Sequence, residues 1–145
     1  LPSLMLPILK HHSASIVYAY YGIAIAATTT LVVGTVFLLM LLPLSEGGVG
    51  SLELAKILKQ GSFYAYQLGM ALWGFGGILL CGLLYQSKGV PTFFPVWGLI
   101  GYIIFIAGTV FELFGVPVGV LLSLPGGLFE VGLSIWLITK GFRVV

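Results

Sequence analysis

Four stretches of this chain run the length of a bilayer almost without charge. Residues 14–44 and 63–86 carry none, 94–115 holds Glu112 alone, and 118–140 holds Glu130 before ending at Lys140. A helix needs about 20 mostly apolar residues to cross the hydrocarbon core. Backbone groups left unpaired in lipid exclude open sheets, and no alternating pattern suggests a barrel. The expectation is an all-α, polytopic transmembrane helix bundle of four spans, A to D, forming a single membrane domain. Composition agrees: 7% of the residues are charged, against about 25% in ordinary soluble domains. Such a chain cannot cover a soluble domain's surface. That excludes a soluble enzyme, a disordered chain and, with a net charge of only +2, a nucleic-acid-binding domain. The single cysteine, Cys81, cannot make an internal disulfide or a cysteine metal site.

The connections add topology. Residues 51–59 follow Gly47, Gly48 and Gly50, with Ser51 as a helix cap. Leu54, Ile57 and Leu58 fall on one side, and Glu53, Lys56 and Lys59 toward the other. This predicts a short helix lying on the membrane surface. The B–C loop holds Lys88 and Pro91; the C–D loop is Gly115-Val116-Pro117. Lys10, Lys88, Lys140 and Arg143 fall on one side of a four-span topology, and Lys56 and Lys59 on the other, beside Glu46 and Glu53. The positive-inside rule then puts both chain ends in the cytoplasm. Tyr85, Trp97 and Trp136 would sit at that interface, as would Tyr18, Tyr20 and Tyr21.

Helix association in lipid depends on close packing rather than a hydrophobic drive. Gly22, Ala26, Thr30 and Gly34 recur every fourth residue in span A, as do Gly119, Ser123 and Gly127 in span D. They are expected to pack helices within the chain, or alternatively to form a dimer face. Span B holds Gly69, Gly74, Gly76, Gly77 and Gly82.

The two carboxyls inside spans are the main candidates for function, because a charge at mid-bilayer costs about 2.5–3.5 kcal/mol on insertion scales. Glu130 lies about 18 Å along span D, near the bilayer middle. No Lys, Arg or His shares that depth, so burial favours the neutral carboxyl. It is expected either to accept a proton or a cation, or to be hydrogen-bonded to a neighbouring helix. Glu112 lies near the outer interface, level with Gln67, and these two with Tyr64 and Tyr66 could form one polar cluster. Pro125, Gly126 and Gly127 precede Glu130 and form a candidate hinge, as a kink or a break into half-helices. Thr28, Thr29 and Thr30 can bond their own helix carbonyls. His11 and His12 lack further ligands for a metal or haem, and are read as interfacial anchors. No catalytic or metal-binding motif is present, and no cofactor is expected.

The order Gln67-Leu68-Gly69, Phe75-Gly76, Gly82-Leu83-Leu84-Tyr85, Ser87, Pro91, Gly98, Pro125, Glu130 and Trp136 to Gly141 is similar to a bacterial family of integral membrane proteins, domain of unknown function 4386. The resemblance is best over residues 60–143. It implies about six spans, of which these would be the last four. The start at Leu1, with Pro2 and Pro7 breaking a short apolar piece, fits the end of a preceding segment. Family members often carry an Arg and a Glu in the helix matching span A; residues 21–27 here carry neither.

These readings converge on a multi-pass protein of a bacterial inner membrane, with the lipid bilayer as its partner. Homo-oligomers or preceding N-terminal helices are the other partners expected. The function they favour is binding or transport of a small solute, at a polar site between spans C and D. The alternative is a structural or accessory membrane subunit associating through small-residue faces. An enzyme is not expected, for want of paired catalytic groups.

Overall fold

A computed structural model describes residues 13–44 and 51–141. The expectations for Lys10, His11, His12, Glu46, Gly47, Gly48, Gly50 and Arg143 lie outside the described residues. Five helices follow in order: α1 (Ala14–Leu39), α2 (Leu41–Leu44), α3 (Ser51–Ser87), α4 (Phe93–Leu113) and α5 (Gly119–Lys140). The segments Ala14–Leu44, Leu52–Ser87, Phe93–Leu113 and Gly119–Lys140 are each long and apolar enough to cross a membrane. No strand occurs among the described residues.

Helix ends are set by local chemistry. α3 stops where the Ser87 hydroxyl donates to the Leu84 carbonyl at 3.1 Å and accepts the Gly89 amide at 3.4 Å. Lys88 then takes a left-handed φ of 50°, and Pro91 follows. α4 ends at Gly115, whose φ of 83° favours glycine. The amides of Gly115 and Val116 close that end on the carbonyls of Glu112 and Phe111, at 2.9 and 3.0 Å. Pro117 prevents the helix from continuing.

Two expectations are corrected here. Residues 51–59 do not form a separate surface helix; they are the first turns of α3, whose 37 residues run about 55 Å. Gly61-Ser62 contains no proline, so the backbone ladder propagates through it. The apolar side expected to lie on the membrane surface is open, with Leu52, Leu54 and Ile57 exposed beside Glu53, Lys56 and Lys59. The second correction concerns Pro125. It sits inside an unbroken 22-residue α5, so the two-half-helix alternative is not adopted. Only one intrahelical bond is lost at a proline, and the flanking turns hold the rest.

Neighbours in sequence pack as antiparallel neighbours in space: α1 on α3, α3 on α4, α4 on α5. α1 and α5 form the two flanks. The core gathers Val17 and Tyr20 with Leu80, Cys81, Leu83, Leu84, Val90, Tyr102, Phe105, Phe129 and Leu133. It lies toward the end of the bundle that holds the α3–α4 loop. Tyr85, Trp97 and Trp136 belong to the same end. There Trp97 packs edge-on against Phe129, with ring centroids 6.5 Å apart.

The small-residue stripe on α1 is not the packing seam. Gly22 and Ala26 are exposed, and a Cβ on Gly22 would meet nothing within 4 Å. The buried positions are Val17, Tyr20, Ala27 and Gly34. Steps of four residues advance around a helix, so the stripe from 22 to 34 rotates by about 120°, whereas steps of seven stay on one face. Gly34 belongs to both patterns and meets α3, where its Cβ would lie 3.2 Å from the Ala65 Cβ. The same spacing governs α4 and α5. A Cβ on Gly101 would stand 3.0 Å from the Gly126 nitrogen, and one on Gly108 3.4 Å from the Gly119 Cα. Gly119 and Gly126, seven apart, therefore form the seam. Gly127 is exposed and Ser123 is half-buried.

Candidate functional site

Glu130 reaches from α5 across to both middle helices. The Tyr102 hydroxyl of α4 donates to its Oε1 at 2.6 Å, and the Trp73 indole N–H of α3 donates to the same oxygen at 3.1 Å. Among the described residues none donates to Oε2. Tyr102 is 4% exposed and fixed from two sides. Its ring lies against the backbone of Gly77, where no side chain would fit, and meets Phe129 edge-on with centroids 5.8 Å apart. Gly77 thus admits the phenol, and the phenol positions the carboxyl.

The three side chains Trp73, Tyr102 and Glu130 line two cavities. The larger, about 270 Å³, adds Tyr20 and Ala24 from α1, Leu72, Gly76, Gly77 and Leu80 from α3, and Phe129, Leu133, Ser134 and Leu137 from α5. It fills the gap between the flanking helices. The smaller, about 170 Å³, adds Met70, Phe105, Ser123, Gly126 and Gly127. Along α5 the larger cavity extends from Phe129 toward Leu137, and the smaller from Glu130 back toward Ser123. The hydrogen-bonded trio therefore stands between a cavity toward one end of the bundle and a cavity toward the other. No basic residue lines either.

The second carboxyl has a different environment. Gln67, 2% exposed, donates its amide to Glu112 Oε2, and the Gly119 amide donates to Oε1 at 3.1 Å. Glu112 thus ties the end of α4 to α3 and caps the first turn of α5. That turn has free N–H groups and a partial positive charge. A Cβ on Gly119 would overlap the carboxyl group, so glycine makes this cap possible.

The structure therefore joins Gln67 to Glu112 but separates that pair from Glu130. Gln67 and Trp73 are six residues, about 9 Å, apart on α3. Tyr64 and Tyr66, expected in the cluster with Gln67, are each 49% exposed, and the Tyr64 oxygen instead accepts the Gln60 amide at 3.0 Å. Thr28 and Thr30 bond back to Ala24 and Ala26, at 2.8 Å each. Gly126, Gly127 and Ser123 of the expected hinge and packing sets line the smaller cavity beside Glu130. Sequence reasoning missed Trp73, Tyr102 and Gly77. The available signal was depth: Trp73 and Tyr102 lie well inside their spans, away from the interfaces where such rings gather.

Over residues 1–141 the sequence matches the family described as Domain of unknown function (DUF4386). The chain belongs to this family. The match takes in the first span and all but the last two residues of the region 60–143, where the resemblance is strongest. No curated protein and no solved structure matches the chain.

Proposed function

We propose that this member of the family is a multi-pass membrane protein that binds and moves a small solute, with Glu130 as the proton or ligand acceptor. One observation carries the reading: the same three side chains, Trp73, Tyr102 and Glu130, line a cavity on each side of themselves. A carboxyl used only to tie helices together needs no such space. The two donors occupy one oxygen, which leaves the other for a proton or a solute. The site belongs to α3, α4 and α5 together rather than to the α4–α5 interface alone. We read the protein as non-enzymatic, in a bacterial inner membrane with both chain ends cytoplasmic. The support is the distribution of Lys10, Lys88, Lys140 and Arg143 against Lys56 and Lys59. On that orientation the larger cavity faces the cytoplasmic half.

The test is thermal stability against pH, for the full-length protein in detergent, comparing wild type with Glu130→Gln. The titratable groups that share a cavity with Glu130 are Tyr20 of α1 and Tyr102 of α4, and no basic residue lines either cavity. If Glu130 exchanges a proton as it works, the stability of wild type and of Glu130→Gln should depend differently on pH. Identical curves would mean a neutral hydrogen-bonding group, and the structural reading would replace this one. That second reading has its own support in the exposed Gly22 and Ala26 on the outer face of α1.

A further inference from the structure

We infer that the larger cavity is a site for a lipophilic monocation, a compact apolar body bearing one ammonium group, which binds at the Glu130 carboxyl. The inference rests on the binding reading above and names its ligand class. Three features of the cavity point to this chemistry. Its wall is apolar except for Glu130, Ser134 and the polar edges of Tyr20, Trp73 and Tyr102, so a ligand must bring mostly apolar surface. Its one ionisable acid has no basic neighbour in the wall, so the charge that complements it has to come from the ligand. Four aromatic residues, Tyr20, Trp73, Tyr102 and Phe129, line the cavity with that acid. Aromatic faces attract cations and repel anions.

The hydrogen bonds sharpen the argument. Trp73 and Tyr102 both donate to Oε1. An ammonium group therefore finds Oε2 without having to break either bond. An anionic ligand of the same shape would instead meet the carboxyl, with only the hydroxyls of Tyr20 and Ser134 to offset its charge.

The experiment uses the full-length protein in lipid nanodiscs, with empty nanodiscs as the blank. Three probes share one cage and differ only in charge: 1-adamantylammonium, 1-adamantanol and 1-adamantanecarboxylate. Equilibrium dialysis should give saturable binding of the ammonium. The carboxylate should bind at least about tenfold more weakly, since a charge-assisted contact is lost. Glu130→Gln should weaken the ammonium by about tenfold or more, whereas Glu112→Gln should bind as wild type. A readout on wild type alone guards against a misfolded variant. A hydrophobic carbodiimide should label Glu130, read by peptide mass, and the ammonium should protect it while the carboxylate does not. Equal binding of ammonium and carboxylate overturns the inference. If no probe binds while the stability curves of wild type and Glu130→Gln still differ, the cation class fails and the broader reading stands. If no probe binds and the two stability curves coincide, both fail.

Discussion

Replacing Gly77 by alanine should damage this protein far more than one methyl group ordinarily would. The added carbon would overlap Cζ, Cε1 and Cε2 of Tyr102. Restoring an ordinary carbon–carbon separation of about 3.5–4.0 Å requires the ring to retreat by roughly 1 Å or more. The ring is almost fully buried and backed by Phe129, so that movement strains the core, at about 1–3 kcal/mol. A retreat of that size also stretches the 2.6 Å bond to Glu130 beyond the hydrogen-bonding range for O–H···O. Losing it adds about 1–2 kcal/mol. The combined cost is about 2–5 kcal/mol, set against a gain of about 0.5–1 kcal/mol from replacing glycine in a helix. Thermal unfolding in detergent measures it, with Gly82→Ala as the control, because a Cβ there meets nothing within 4 Å. Gly77→Ala should lower the melting temperature by several degrees, and Gly82→Ala should leave it unchanged or raise it. In a Tyr102→Phe background the penalty should shrink by the hydrogen-bond share, about 1–2 kcal/mol. Equal melting temperatures for Gly77→Ala and Gly82→Ala would refute the reasoning that this glycine positions the phenol.

Glu112→Ala should destabilise by about 1–3 kcal/mol in the same assay, because it strands the buried Gln67 amide and uncaps α5. Glu112→Gln keeps an acceptor for the Gly119 amide and should cost less. Gly101→Leu should separate α4 from α5 and cost more than Gly22→Leu, since only Gly101 faces a backbone across the seam. Reversing the charge of Lys88 and Lys140 together should disturb the orientation of reporter fusions; an unchanged topology would count against cytoplasmic chain ends.

The distinction between the two carboxyls was only partly legible in the sequence. Depth along a span follows from counting residues, and that was enough to pair Gln67 with Glu112 and to set Glu130 apart as the mid-span acid. Rotation about the helix axis is harder to count. A small error per residue accumulates, and one residue turns a side chain by about 100°. The stripe on α1 failed for this reason: small residues marked a face, but the packed face followed the seven-residue spacing through Ala27 and Gly34. The surface helix failed for a different one. Charge and periodicity located its polar side, but nothing in residues 51–62 stops a helix, and continuity is a property of the backbone ladder rather than of the pattern.

The amino-acid sequence alone determined the four helices long and apolar enough to cross a membrane, because uncharged length is visible residue by residue. It also determined where α4 turns into α5, through Gly115 and Pro117. Only the tertiary structure decided what Glu130 faces. That depended on Gly77 admitting Tyr102, on Trp73 reaching across from α3, and on the flanking helices leaving space between them. Each is a relation between helices set by rotation and close approach, and neither quantity is written in the spacing of any one helix.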